Sequence, residues 1–522
     1  MTLIKMNYSD YQLDIFDEIE NGNSNIAINA VAGSGKTTTI VAACKRLNEP
    51  SNRVCFLAFN KLIADELKVK LKGFAEVSTL HAFGFNVLKR IYNFPEYHQY
   101  VKVDGWKIQK YVRNHVFELS SIITPSTDAA KVFSFSLNVQ RLYHLARVNL
   151  IECDEKGRLR ELCDEHNLIT LFDEVNVVDI LLGDAYKMPQ DLVIDYVDMI
   201  VLPLFHVEHI PHYKYVFIDE CQDLNKAQRE LMLNAAKGGR FIAVGDRNQA
   251  INGFAGADCA SFDKIANIED TIELPLSVNY RCGTNMIKLA QTIVPQIQAH
   301  KGAIDGKIIH VNRISKDLFK ENDMVLCRTS APLVGLCMKL IESGITAVVK
   351  GKDIAQSLKC IIDNANTNSI REVLEYLNNE KQKMIAVIKA DRKCSDEEAK
   401  KTLKYQKLED NCKCIENICL YSVKDAKDLK CYIDKMFTDD RVKNAVMLST
   451  AHKSKGLEAN RVLILLPNKL PLEYPNQKHW QEIQELNLKY VAITRARKEL
   501  IFVDVTEQGL LKANLNENKK TA

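Results

Sequence analysis

The stretch Ala30-Val-Ala-Gly-Ser-Gly-Lys-Thr37 constrains this chain more than any other. An apolar-alternating run, Asn25-Ile-Ala-Ile-Asn29, precedes it, and a helix-compatible run, Thr38-Thr-Ile-Val-Ala-Ala-Cys-Lys45, follows. Strand, glycine-rich loop and helix in that order are what a phosphate-binding loop needs, since the helix N-terminus supplies unpaired N–H groups. Gly33 and Gly35 let the backbone turn those groups inward as an anion nest, which predicts a nucleotide cradle over Ala32, Gly33, Ser34, Gly35, Lys36, Thr37 and Thr38. Lys36 is placed to reach the β- and γ-phosphates, and the Thr37 hydroxyl to hold Mg²⁺. Ala30 departs from the strict pattern, standing where the first glycine usually is.

A chain of 522 residues is too long for one core and predicts two to four domains. Its formal charge of +3 is nearly neutral, so any nucleic-acid contact must come from local patches. No segment approaches the roughly 18 apolar residues of a membrane span. Acids at Asp10, Asp14 and Asp17 do not suit a secretory leader. A cytosolic or nuclear-type compartment is the expectation. There, the 15 cysteines are expected to be free thiols, many of them core residues. Cys394, Cys412, Cys414, Cys419 and Cys431 match no paired C-x-x-C knuckle, which favours ordinary cysteines over a zinc or iron–sulfur site.

Residues 1 to about 90 alternate short apolar strands (Val54-Cys-Phe-Leu-Ala-Phe59, Glu76-Val-Ser-Thr79) with helix-like segments, the pattern of a parallel α/β sheet. From about 92 to 205 the pattern turns helical: Leu142, Leu145 and Ala146 share one helical face. Strands return at Tyr215–Ile218 and Phe241–Val244. A second α/β block follows, with strands near Met324–Cys327 and Ala347–Val349. A charged helical stretch occupies 355–440, and strands come back at Ala445–Leu448, Val462–Leu466 and Leu500–Val503. Two α/β sheets, each interrupted by a helical insertion, is the simplest layout.

The strand Tyr215–Ile218 runs into Asp219-Glu220-Cys-Gln-Asp223. Beside a phosphate loop, the first acid suits Mg²⁺ and the second suits polarising the attacking water. The next strand ends in Gly245-Asp-Arg-Asn-Gln249, where Gln249 can both donate and accept and so sense a γ-phosphate. Tyr280-Arg281, and Arg495 after the strand-like run from Tyr490, offer cations from the second block. Phosphoryl transfer needs such charge in its transition state.

Taken together, these motifs resemble a superfamily 1 helicase of the UvrD/Rep/PcrA type. They occur in order: Gln12; Ala30 to Thr37; Phe59-Asn60-Lys61; Thr79-Leu-His81; Asp219 to Asp223; Gly245 to Gln249; Asn279-Tyr-Arg281; Ser449 through His452 and Gly456 to Glu458; and Tyr490 to Arg497. The resemblance spans nearly the whole chain except the two insertions, and Ala at position 30 is tolerated in that family. It implies an α/β fold of two RecA-like parallel-sheet domains forming an ATP cleft. Domain 1A would comprise 1–91 and 206–275, with a helical insertion 1B at 92–205. Domain 2A would comprise 276–354 and 441–510, with a reduced insertion 2B at 355–440 and a polar tail at 511–522.

The resemblance also implies roles. Gln12 would read the adenine edge and Tyr280 would stack on the ring. Arg281 and Arg495 would be the γ-phosphate arginines, with Glu458 close to the nucleotide. Phe59, Asn60, Thr79, His81, Phe254 and His452 would touch single-stranded DNA. Departures accompany this: Asn252 and Ala255 stand where an aromatic and an arginine are common, and Phe254 where many relatives have Trp. The forms Phe59-Asn-Lys61 and Gly351-Lys-Asp-Ile354 are closer to phage-encoded and F-box-type relatives. Since the chain runs only a short way past the last motif, no fused nuclease is expected. The implied activity is ATP- and Mg²⁺-dependent translocation on single-stranded DNA, 3′ to 5′, with unwinding at single-strand/duplex junctions and accessory loading, replication or repair proteins as partners. Two alternatives stay open: a translocase that strips proteins such as recombinase filaments from DNA, and a nucleotide-switched DNA-binding scaffold that hydrolyses little.

Overall fold

The computed structural model describes residues 8–91, 101–166, 168, 173–183, 193–253, 258, 260–421, 423–440, 442–512 and 515. The chain divides into two units, Met1–Ser277 and Val278–Ala522.

In the first unit, strands β1 (Asn25–Ala30), β2 (Val54–Ala58), β3 (Glu76–Thr79), β6 (Tyr215–Ile218), β7 (Arg240–Gly245) and β8 (Thr271–Leu276) form one sheet in the order β3-β2-β6-β7-β1-β8. Every pairing in it is parallel. Every residue of β2 and β6 is buried, because helices cover both faces of a parallel sheet. Alternate residues then feed two cores. Ile26, Ile28, Phe56 and Phe217 pack with Ile15, Ile19 and Ile40 on one face. Ala27, Cys55, Leu57, Val216 and Ile218 pack with Phe83, Val87 and Leu231 on the other.

Between β3 and β6, the helices Lys107–Asn114, Ala129–Val148, Lys156–Glu165 and Glu174–Leu182 enclose a core of their own around Val112, Phe135, Val139, Leu142 and Val177. A two-residue parallel ladder of β4 (Lys102–Val103) with β5 (Val193–Ile194) closes this insertion. Beside the ladder, Asp195 and Asp198 each accept the other's backbone N–H at 2.8 Å. Arg147 and Lys107 both donate to Asp198 at 2.6 Å, and His144 lies 3.1 Å from Asp195.

The second unit holds a short parallel pair, β9 (Val278–Asn279) with β10 (Gln298–Ala299). Its main sheet comprises β11 (Lys307–Val311), β12 (Met324–Cys327), β13 (Ala347–Lys350), β14 (Phe437–Thr438), β15 (Val446–Thr450), β16 (Ala459–Leu465) and β17 (Ala496–Val503). The order is β11-β17-β16-β12-β15-β13-β14, again all parallel. The helices from 352 to 436 pack onto this sheet: Leu358, Val373, Ile415 and Ile433 share a core with Val325, Leu336 and Leu448.

Cys412 and Cys414 are buried in that shared core, and burial pushes the Cys412 thiol up to about 11. Among the described residues, no group of three or more His, Cys, Asp or Glu side chains is placed to hold a metal ion, and no helix is long and apolar enough to cross a membrane. One local expectation is corrected: the run from Tyr490 is not a strand. It is the last turn of the helix His479–Ile493, and β17 starts only at Ala496.

Candidate nucleotide and nucleic-acid site

Local chemistry fixes the phosphate loop. Gly33 and Gly35 take φ of 67° and 80°, the left-handed region that an L side chain disfavours. The helix Lys36–Arg46 starts directly after Gly35, and no side chain caps it there. Its first N–H groups are therefore available to an anion. Ser34 Oγ is buried within the loop with no hydrogen-bond partner, an orphaned donor that a phosphate oxygen would satisfy.

Two acids complete this site. Thr37 Oγ1 donates to Asp219 Oδ2 at 2.9 Å, so a hydroxyl and a carboxylate oxygen, both hard ligands, meet where Mg²⁺ is needed. The residues present fit that ion. Lys36 Nζ lies 3.1 and 3.2 Å from the two carboxylate oxygens of Glu220. Burial opposes the Lys36 charge, but Glu220, Asp246 and Asp219 outweigh it and hold the ammonium pKa above its ordinary value. Burial, then the neighbouring Glu220 carboxylate, pushes Asp219 up. Glu220 itself sits at φ 55°, ψ 40°, a costly conformation for a non-glycine residue.

Gln222, to which the sequence assigns no role, bridges the two acidic strand ends. Its Nε2 donates to Glu220 Oε2 at 2.5 Å and its Oε1 accepts the Asp246 backbone N–H at 3.1 Å. Asp246 in turn accepts from Gln249 Nε2 at 2.6 Å. The two acidic strand ends and Gln249 are thereby one network. Gln12 lies at the start of the helix Asp10–Asn21 and donates to Thr39 Oγ1 at 2.8 Å, just behind the loop. Asn252, at the departure from the family pattern, donates to Asp223 at 3.1 Å.

The DNA candidates of this unit share the same edge of the sheet. Ala58 pairs with Thr79 in the ladder, so Phe59 and Asn60 leave β2 where Thr79 ends β3. Phe59 lies just past the strand and is 36% exposed, which frees its ring from the core. Asn60 Oδ1 caps the helix Lys61–Lys70 by accepting from Ile63 N, and Thr79 Oγ1 accepts from Ala82 N. His81 is half-buried, and burial lowers its pKa. Phe254 and Ala255 lie outside the described residues. Along the carboxyl edge the order is therefore DNA candidates (β3, β2), the candidate catalytic acids (β6), Gln249 (β7) and phosphate loop (β1). Ligands of open parallel sheets bind at this edge.

In the second unit, Arg281 and Arg497 both pair with Glu458. Burial works against the Glu458 charge, but the two arginines prevail and hold its carboxyl below the usual range. Arg281 also donates to Thr494 O at 3.2 Å, and the buried Asn279 fixes its backbone by accepting Arg281 N–H at 2.9 Å. Arg495 is 1% exposed, with its guanidinium donating to Val491 O, Leu457 O and Thr494 Oγ1. Tyr280 is 44% exposed and stacks on His300 at 5.6 Å. His452 stands apart from this group. It follows the carboxyl end of β15, whereas Glu458 and Arg495 lead into the amino ends of β16 and β17. Burial, then Arg328 and Lys453, lowers the His452 pKa to about 3.

Comparison with known proteins identifies the family. Residues 14–267 match the UvrD/REP helicase N-terminal domain family, and 434–507 match the UvrD-like helicase C-terminal domain family. Similar proteins include F-box DNA helicase protein 1 of Schizosaccharomyces pombe, 22% identical over 92% of this chain and 55% of that protein. A probable DNA helicase II homolog of Mycoplasma pneumoniae is 24% identical over 92% of this chain and 81% of its own length. ATP-dependent DNA helicase PcrA of Staphylococcus aureus is 25% identical over 52% of this chain and 38% of that protein. The chain thus spans little more than half of the yeast relative. The two domain families together cover well over half of the sequence and carry the phosphate loop at one end and Arg495 at the other. With its two RecA-like parallel sheets, the chain belongs to the UvrD/Rep helicase family.

Proposed function

We propose that the protein is an ATP-driven DNA helicase that moves 3′ to 5′ on single-stranded DNA and opens duplex at single-strand/duplex junctions. The observation that carries this reading is the order along one sheet edge, with the Lys36–Glu220 and Thr37–Asp219 pairs beside the strands that present Phe59 and Thr79. The phosphate loop holds the triphosphate, with Lys36 leaving Glu220 for the phosphates. Glu220 is then released to polarise water. Thr37 and Asp219 would hold Mg²⁺, which when bound neutralises charge on the phosphate oxygens.

Gln12, Tyr280 and Glu458 serve the nucleotide, and Arg281 and Arg495 serve its γ-phosphate. Arg495 must exchange one of its present acceptors, Leu457 O or Thr494 Oγ1, for a phosphate oxygen. Gln249 senses the γ-phosphate through Asp246. Phe59, Asn60, Thr79, His81, Phe254 and His452 hold the strand, aromatic faces on bases and polar groups on phosphates. An Asp–Glu pair facing a lysine-bearing loop favours turnover over a switched scaffold.

The deciding experiment is ATP-dependent unwinding of duplexes carrying a 3′ or a 5′ single-stranded tail. Unwinding from the 3′ tail alone is expected, and unwinding only from the 5′ tail would overturn the polarity. Single-strand-stimulated ATPase without strand separation would instead favour a protein-stripping translocase.

A further inference from the structure

Tyr280 follows β9 and His300 follows β10. The parallel pairing of Val278 with Gln298 and of Asn279 with Ala299 sets the two residues side by side at the next rung. Their rings stack with centroids 5.6 Å apart and planes 23° from parallel, a geometry within the range that aromatic pairs favour. A base sandwiched between two rings needs them roughly 7 Å apart, so none fits between these two. One face of Tyr280 is thus taken by the imidazole, and the other is the face left to a ligand by a ring that is 44% exposed.

His300 is itself held in place. Its N–H donates to Asn279 O at 3.2 Å, its carbonyl accepts Ala303 N–H at 3.0 Å, and its Nδ1 accepts Gly302 N–H at 3.0 Å. A Cβ at Gly302 would stand 3.2 Å from His300 Cε1, so glycine there leaves the imidazole its room. The side chain of the buried Asn279 meanwhile accepts the N–H groups of Arg281 and Cys282 at 2.9 and 2.7 Å. One asparagine therefore fixes the imidazole through its backbone carbonyl and the Tyr280–Arg281 turn through its side chain. An exposed tyrosine with both faces in water samples several rotamers and loses that freedom when a ligand binds. The imidazole removes part of that cost beforehand.

We propose that His300 is a positioning residue for the nucleotide: it backs Tyr280 and so presents the opposite face of that ring to the base of ATP. The proposal rests on the reading of Tyr280 as the base-stacking residue and adds the residue that holds the ring in place. His300 acts through the ring alone, so its effect falls on the base and not on the triphosphate.

Steady-state ATP hydrolysis by the full chain at saturating oligothymidylate tests this. His300→Ala should raise KM for ATP roughly 3- to 10-fold, with kcat within about two-fold of the parent. His300→Phe keeps a flat ring and should restore the parental KM. The inhibition constant of tripolyphosphate, which has no base, should be the same in the parent and both His300 variants. A parental KM in His300→Ala beside a raised KM in Tyr280→Ala would overturn the backing role and leave Tyr280 in its own. A parental KM in both alanine variants would sink the base-stacking reading and the proposal with it. An equal rise for ATP and tripolyphosphate, or no rescue by His300→Phe, would make His300 a support of the Asn279 turn and overturn the proposal. No hydrolysis by the parent would refute the ATPase reading on which all of this stands.

Discussion

Lys36 and Glu220, 184 positions apart in sequence, form an ion pair at 3.1 Å across the carboxyl edge of the first sheet. Each is the other's counter-ion, so on the proposed reading triphosphate binding and release of the Glu220 carboxylate are one event. Lys36→Ala should lower ATP turnover by at least about 100-fold, the scale of losing one transition-state donor. Single-strand affinity, measured by anisotropy, should change less than about three-fold. Equal loss of both would refute the separation of the ATP and DNA residues.

Gln222 holds Glu220 through its amide N–H and Asp246 through its carbonyl oxygen. Gln222→Leu removes both bonds at similar volume. The kcat for ATP should fall by roughly 10- to 100-fold, as for other residues that orient a reacting group, with KM for ATP nearly unchanged. A rise in KM at constant kcat would mean that Gln222 serves binding alone.

Asp195 is pulled down from 3.8 to about 2: burial opposes its charge, but His144, Arg147 and the Asp198 N–H overcome it. A depressed carboxyl stabilises the fold above its unfolded value and loses that contribution as pH falls through the folded one. The Tm gap between the parent and Asp195→Asn should hold at pH 5 and above, then narrow between about pH 4 and 2. A gap independent of pH would show that the charge of Asp195 contributes nothing.

Gly84 lies within the helix Leu80–Ile91, where a Cβ would stand 1.9 Å from Met199 O. Helix propensity alone favours alanine by about 1 kcal/mol. The clash is with backbone, which cannot rotate away, and overpacking costs about 1–3 kcal/mol. Gly84→Ala should therefore lower stability in urea melts by roughly 1–2 kcal/mol. A stabilised variant would mean that the helix slides freely on Met199.

Much of this arrangement is legible before any coordinates. The strands around the phosphate loop and the Asp219–Glu220 pair are read from continuous apolar runs ending in polar residues, because a parallel sheet covered on both faces allows little else. What escapes is what lacks a period. Tyr490-Val-Ala-Ile is buried on every side, so four apolar residues in succession fit a strand as well as the helix they end. The β4–β5 ladder is two residues long and joins positions 91 apart, too short for any alternation to show. Nothing in the sequence distinguishes Asp195, Asp198 and Arg147 from surface charges, yet they lie buried and satisfy one another. Gln222 is visible as a letter, but its two partners are set by the turn at Glu220 and by the neighbouring strand.

The register of β2 against β6 has a mechanical consequence. Val54 to Leu57 pair with Tyr215 to Ile218, so the strand delivering Phe59 and the strand delivering Glu220 are immediate neighbours, about 4.8 Å apart. On the proposed reading, fuel and track are served from adjacent rungs of one stiff frame. A change at the carboxylate need cross only a single row of backbone hydrogen bonds to reach the grip on a base. Within this unit, the transmission between engine and wheel is one ladder long.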